Sequence, residues 1–162
     1  MRLTIRSLVV SAAWVGLSTL LIGSALAQGD PQVGVWTLNV AKSTYSPGPA
    51  PKSATTRIEA AGAGTKVIVD QVTADGTKRH YEFTANYDGK DSPVIGTNPD
   101  ADTVARTRID ATTVQTTAKK GGKVTTTQTS TVSSDGKTRT VTTKGVNASG
   151  QPVNNVAVYE KQ

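Results

Sequence analysis

Short segments in which apolar and polar side chains alternate recur along the chain after residue 27. Alternation at every second position is typical of half-buried β-strands. Turn signals such as Asp75-Gly76, Asp88-Gly89 and Gly121-Gly122 separate the segments, and their regular spacing is typical of all-β sandwiches and barrels. The pattern predicts strands at 33–41, 54–60, 66–73, 78–87, 103–110, 112–119, 123–133, 137–146 and 153–161, with a short extra strand near 92–95.

Two of these strands have a clear inside and outside. Their apolar faces carry Trp36, Leu38 and Val40 in the first strand, and Tyr81, Phe83, Ala85 and Tyr87 in the fourth. Between residues 112 and 143 the alternation fades, because threonine occupies both faces. Such a stretch is typical of an edge-like, partly wet or water-lined part of a sheet.

Closure into a barrel would protect a meander of nine or ten strands from exposing its edges. We therefore predict one all-β domain over residues 28–162, an antiparallel meander that closes into an 8–10-stranded barrel. Residues 42–52 carry Pro47, Pro49 and Pro51, which remove backbone donors and favour an extended loop or strap.

The first 27 residues have a different character. Arg2 and Arg6 precede an apolar run over residues 8–22, and Ala25-Leu26-Ala27 offers a cleavage site. This pattern predicts a helical signal peptide over residues 1–27 and a periplasmic or secreted protein. A retained membrane anchor is the competing interpretation, but polar residues interrupt the run and it is short for a span of ~20 residues. We therefore expect no stable membrane insertion after cleavage.

Composition supports strands and a thin core. Residues 28–162 contain 16 Val, 4 Ile and 24 Thr but one Leu and no Met. β-Branched side chains fit a pleated surface better than a helix. Because large apolar side chains are scarce, part of the barrel interior could stay unfilled. The chain has no cysteine, so disulfides are excluded even on an export route.

The positive charge is mild. The chain has a net charge of +6, and Lys119, Lys120 and Lys123 form its densest basic cluster, around a predicted hairpin tip. No aromatic residue lies between Asn98 and Asn155, so this half of the chain has no base-stacking platform and nucleic acid is not an expected partner. An anionic envelope polymer stays open as a partner.

Candidate catalytic and metal-binding residues are few. His80 is the single histidine, and without cysteine a zinc centre is disfavoured. We predict a surface position for His80 and therefore no catalytic residue. Four aspartates around two turns are of the type that binds calcium, namely Asp88, Asp91, Asp100 and Asp102. Their spacing fits no EF-hand, and aspartate before glycine or near Pro99 is ordinary turn chemistry. We predict no metal site and no cofactor.

The predicted first strand opens with Gly34-Val35-Trp36. This G-x-W start resembles the lipocalin and calycin barrels, and the resemblance implies a lipocalin-like barrel in which the glycine lets the chain bend and the tryptophan closes one end. Members of that group usually place a basic side chain of the last strand against the tryptophan. In this chain Lys161 is the basic residue of the last predicted strand.

Further segments extend the comparison over residues 34–162. They read Trp36-Thr37-Leu38-Asn39, Ser46-Pro47-Gly48-Pro49-Ala50-Pro51-Lys52, Tyr87-Asp88-Gly89-Lys90-Asp91, Asn98-Pro99-Asp100-Ala101-Asp102 and Gln151-Pro152-Val153-Asn154-Asn155-Val156-Ala157-Val158-Tyr159. Through them the chain resembles a family of small exported bacterial proteins of unknown function. The resemblance implies a location and a fold, and it carries no catalytic residues.

Two functional hypotheses follow. The first is an exported, non-enzymatic β-barrel that binds a small apolar or amphipathic ligand at residues Trp36, Tyr81 and Phe83, although these three side chains are more simply explained as core residues. The second is a structural or interaction protein whose basic, threonine-rich strands contact envelope polymer or a partner chain. Outer-membrane insertion is disfavoured, since threonine and charged residues occupy many outward positions.

Overall fold

A computed structural model describes residues 29–162 of the chain. The predicted signal peptide at residues 1–27 lies outside the described residues. In chain order the strands are β1 (Gly34–Leu38), β2 (Ser53–Ala61), β3 (Gly64–Val72), β4 (Lys78–Asn86), β5 (Asp88–Pro93), β6 (Ile95–Gly96), β7 (Thr103–Arg108), β8 (Thr113–Lys120), β9 (Lys123–Val132), β10 (Thr138–Val146) and β11 (Pro152–Lys161). A 3₁₀ turn at Val40–Lys42 follows β1. None of the helical structure within residues 29–162 is long and apolar enough to cross a membrane.

All strands belong to one antiparallel sheet. Their order is β5-β7-β8-β9-β10-β11-β1-β2-β3-β4-β6. Strand β1 pairs with both β2 and β11, so the first and last strands of the chain lie side by side in the middle of the sheet. The two edge strands, β5 and β6, are separated along the chain by Val94 alone. The sheet is therefore nearly closed, and the predicted all-β antiparallel barrel is confirmed.

The strand count exceeds the predicted 8–10. Residues 88–96 form two short strands rather than one, because β5 pairs with β7 and β6 pairs with β4. A bend at Tyr87 separates β5 from the end of β4. The pairing of β5 with β7 then shifts register between Asp88 and Asp91, where Gly89 has a φ of 74°. The chain thus crosses from one edge of the sheet to the other within this segment. We call the line where the two edges meet the seam.

The apolar faces predicted for the first and fourth strands are largely correct. Trp36, Leu38, Phe83 and Ala85 are buried. Val40 is 38% exposed, so its predicted place on the buried face of the first strand is wrong. The reason is local, because the Asn39 side chain accepts a hydrogen bond from the backbone N–H of Lys42 (3.1 Å) and the alternation ends at this 3₁₀ turn.

One end of the barrel is closed by residues 30–33, which we call the plug. Gln32 in the plug has no exposed surface. Its side-chain Nε2 donates to the backbone carbonyl oxygens of Thr112 (2.8 Å) and Ser130 (3.1 Å). The backbone carbonyl of Gln32 accepts a hydrogen bond from Trp36 Nε1 (2.9 Å). These bonds tie the chain before β1 to β9 and to the turn before β8.

The plug also joins the two sides of the seam. Asp30 Oδ2 accepts hydrogen bonds from Tyr87 Oη (2.5 Å), just after β4, and from Arg108 Nη2 (2.5 Å), at the end of β7. The Arg108 guanidinium lies 4.1 Å from the centroid of the Tyr87 ring. We call Asp30, Tyr87 and Arg108 the clasp. No backbone pairing joins β4 to β7 in the described sheet, so the clasp connects the two sides of the seam by side chains.

Candidate ligand cavity

The barrel interior contains a cavity of about 340 Å³. Its mouth lies at the end opposite the plug, where the proline-rich strap and the loops after β3, β6 and β10 meet. The strap covers residues 43–52, because Lys42 of the predicted segment 42–52 belongs to the 3₁₀ turn. Hydrogen bonds hold these loops together: the Ala148 N–H donates to Asp100 Oδ1 (2.8 Å), and the Asn154 N–H donates to the carbonyl of Ser46 in the strap (2.7 Å). Pro47, Pro49 and Pro51 face the mouth.

The cavity has one largely apolar wall and one polar wall. Strands β3 and β4 supply the apolar wall, with Val67, Val69, Tyr81 and Phe83. The polar wall follows one row of paired residues across β7 to β11, namely Arg106, Thr116, Gln128, Thr143 and Asn155. Because directly paired residues of neighbouring strands point to the same side of a sheet, this row forms a continuous polar strip inside the barrel.

Arg106 on β7 is 2% exposed. Its Nη1 donates to the hydroxyl of Thr65 on β3, so the side chain reaches past β4 across the inside of the seam. The guanidinium lies 5.2 Å from the centroid of the Tyr87 ring and 6.0 Å from that of Phe83, distances at which a cation is attracted to an aromatic face. Burial lowers the pKa of Arg106 from its ordinary value.

Arg139 on β10 is 7% exposed and also lines the cavity. Its Nε donates to Ser130 Oγ (2.8 Å), and Ser130 Oγ in turn donates to Gln32 Oε1 (2.9 Å). The plug therefore sets the position of this guanidinium through two hydrogen bonds. Burial, together with the positive charge of Arg106, lowers the pKa of Arg139 to about 10. Arg139 is still a cation at neutral pH.

Neither of these arginines has a carboxylate partner. The ion pairs among residues 29–162 involve other cations, and none joins Arg106 or Arg139 to an acid within 4.0 Å. Two buried side-chain polar atoms in this part of the chain lack a hydrogen-bond partner, and they are Arg106 Nε and Arg139 Nη1. Burying an uncompensated charge costs on the order of several kcal/mol. The cavity thus concentrates unbalanced positive charge and unused donors.

Tyrosine hydroxyls complete the polar chemistry of the cavity. Tyr45, Tyr81 and Tyr159 line it, and burial raises the pKa of each above its ordinary value. They are therefore neutral hydrogen-bond donors throughout the physiological range. The Tyr159 ring also lies 5.3 Å from the Arg139 guanidinium carbon.

The structure separates the three predicted ligand-binding residues. Tyr81 and Phe83 lie together on the apolar wall of the cavity, whereas Trp36 is fully buried beside the plug and takes no part in the lining. Lys161 Nζ lies 5.1 Å from the centroid of the Trp36 ring. A Cβ added at Gly34 would come within 2.5 Å of Lys161 Cε, so the glycine leaves room for the lysine to cover the tryptophan.

Sequence reasoning missed both cavity arginines. A signal was present, since Arg106 lies two residues from buried Val104 and Arg139 two residues from buried Val141. Residues two apart in a strand share a face. Parity alone would thus have placed both arginines inside, against the usual expectation that arginine lies outside.

The other candidate residues lie outside the cavity or at its rim. His80 is exposed, with Nδ1 2.7 Å from Asp70 Oδ1. Each of the four turn aspartates has a separate partner. Asp88 accepts from the backbone N–H of Lys90, and Asp91 accepts from Lys119 Nζ. Asp100 accepts from the Ala148 N–H, and Asp102 accepts from the Gly121 N–H. No group of three or more potential metal ligands occurs within residues 29–162.

Comparison with known proteins does not place the chain in a family. No model of a known protein family matches it, and no curated protein is significantly similar to it.

Proposed function

We propose that this chain is an exported, non-enzymatic β-barrel protein of the bacterial envelope that binds a small amphipathic ligand in its interior. The observation that carries the proposal is the cavity of about 340 Å³ with one apolar and one polar wall. This volume falls within the range of small-molecule sites, which combine apolar lining with a few placed polar groups.

The chemistry of the lining favours binding over catalysis. Arginine, tyrosine, threonine and glutamine side chains dominate its polar part. None of these types exchanges protons readily near neutral pH, whereas histidine does. The single histidine, His80, projects from the barrel surface next to Asp70. Export is supported by the basic start, apolar run and Ala25-Leu26-Ala27 site of residues 1–27.

The binding proposal can be tested with a neutral dye and a filled cavity. N-Phenyl-1-naphthylamine should become fluorescent when mixed with the purified protein. The variant Thr143→Trp places a large side chain on the polar wall and should weaken dye binding at least tenfold. Thr142→Trp is the matched control, because Thr142 is the next residue of β10 and lies outside the lining. Absence of dye binding, or equal binding by both variants, would contradict the proposal.

The export proposal has an independent test. Intact-mass measurement on protein from the periplasmic or culture fraction of a bacterial host should show a chain that begins at Gln28. Full-length protein retained in the cytoplasm or membrane fraction would contradict it.

A further inference from the structure

We propose that the ligand carries an oxyanionic head group, which Arg106 and Arg139 bind, on a single apolar chain. This inference rests on the proposed function and adds the chemical class of the ligand. A fatty acid or a monoalkyl phosphate has this chemistry.

The two arginines are prepared for an anion that the described chain does not supply. Arg106 Nε and Arg139 Nη1 are buried donors without acceptors. Charged donors bind carboxylate and phosphate oxygens more strongly than neutral acceptors, and guanidinium groups match the geometry of these anions. An oxyanion offers negative charge and at least two acceptor oxygens, which the two buried arginines lack.

The nearest acids are already engaged or lie elsewhere. Asp30 acts on Arg106 through its charge, but its Oδ2 accepts from Tyr87 and Arg108 in the clasp. Asp100 lines the mouth, where it accepts the Ala148 N–H. Neither carboxylate forms an ion pair with Arg106 or Arg139.

The two ends of the cavity predict the orientation of the ligand. Arg139 connects through Ser130 to the plug, and Arg106 packs on Tyr87 of the clasp, so both guanidinium groups belong to the closed end. The opposite end is lined by the prolines of the strap. The head group therefore enters first, and the apolar chain extends along the β3–β4 wall towards Pro47 and Pro49.

A set of amphiphiles of one chain length tests the inference on the unmodified protein. Dodecanoate, dodecyl phosphate, dodecanol and dodecylammonium are titrated by displacement of N-phenyl-1-naphthylamine. We expect at least one of the two anions to bind tenfold or more tightly than dodecanol, and dodecylammonium to bind most weakly. Whichever anion binds more tightly identifies the head group.

Variants assign the preference to the two arginines. Arg139→Met and Arg106→Met should each weaken binding of the preferred anion by about 10- to 100-fold, which is the effect of losing a charged hydrogen bond. The affinity of each variant for dodecanol should stay within about threefold of that of the unmodified protein. Arg139→Lys should keep part of the preference because it keeps the charge. Arg57→Met is the control, since Arg57 is an exposed arginine of β2 outside the cavity.

The outcomes separate this inference from the proposed function. If dodecanol binds as tightly as both anions, the barrel still binds amphiphiles, but the head-group assignment is overturned. An anion preference that survives in both methionine variants overturns the assignment to Arg106 and Arg139. If neither the dye nor any amphiphile binds, the proposed function itself fails.

Discussion

Replacing Asp30 with alanine should open the seam of the barrel and destabilise the protein. The change removes the acceptor shared by Tyr87 Oη and Arg108 Nη2, both at 2.5 Å. Each hydrogen bond to a charged group is worth about 1.5–3 kcal/mol. The Arg108 side chain is 29% exposed, so in the variant water can hydrogen-bond to it and offset part of the lost stability. We expect a net loss of about 3 kcal/mol, which corresponds to a fall in Tm of roughly 10 °C for a domain of this size.

Urea denaturation followed by intrinsic fluorescence measures this loss. Asp70→Ala is the matched control, because it removes an aspartate whose single partner, His80, lies in an exposed pair. Exposed pairs contribute about 0–1 kcal/mol. A double-mutant cycle with Tyr87→Phe should give a coupling energy of about 1–2 kcal/mol, since the two residues share one bond. Equal losses in Asp30→Ala and Asp70→Ala, or additivity with Tyr87→Phe, would refute the role of the clasp.

Two further predictions concern the closed end and the turns. Trp36→Ala should destabilise the protein by about 3–5 kcal/mol in thermal melts, because it leaves a cavity beside the plug and removes the donor to the Gln32 backbone carbonyl. A loss of less than about 1 kcal/mol would contradict this packing. Hydrogen bonds from Thr73 and Thr77 lower the pKa of Asp75 to about 2. The folded state gains this stabilisation in full above the ordinary pKa of aspartate and loses it as the pH falls towards 2. Asp75→Asn should therefore flatten the dependence of the urea midpoint on pH between about 5 and 2. An unchanged slope would argue against the turn contacts.

The strands were predictable because their signals are local. Turn residues place the bounds of β8, β9, β10 and β11 within a few residues of those observed, even where threonine on both faces weakens the alternation. Strands β5 and β6 were merged, since their division depends on which edge of the sheet each one joins. No pattern within residues 88–96 encodes that choice. The prediction that Val40 is buried was wrong for the opposite reason, because the local cap at Asn39 ends the strand and with it the alternation.

The candidate site was only half predictable. Tyr81 and Phe83 were identified as candidates from their shared apolar face, and they lie on the cavity wall. Trp36 also lies on the apolar face of its strand, but it packs beside the plug. Strand pairing puts Trp36 in one row with Thr56, Val69 and Tyr81, so register alone does not separate it from the cavity. Trp36 differs because its Nε1 donates to the backbone carbonyl of Gln32 in the plug. The plug is held by hydrogen bonds from Gln32 to Thr112 and Ser130, which are distant in the chain and leave no local signal.

The sequence by itself determined an all-β antiparallel chain with its turns and its thin apolar core, because alternation and β-branching act on neighbouring residues. Only the tertiary structure brought Arg106 and Arg139, on different strands, into one interior. Thr65, the acceptor for Arg106, is 41 positions away in the chain, and Ser130, which holds Arg139, is tied to a plug 98 positions away. The charge of a cavity depends on which side chains share it, and closure of the barrel decides that.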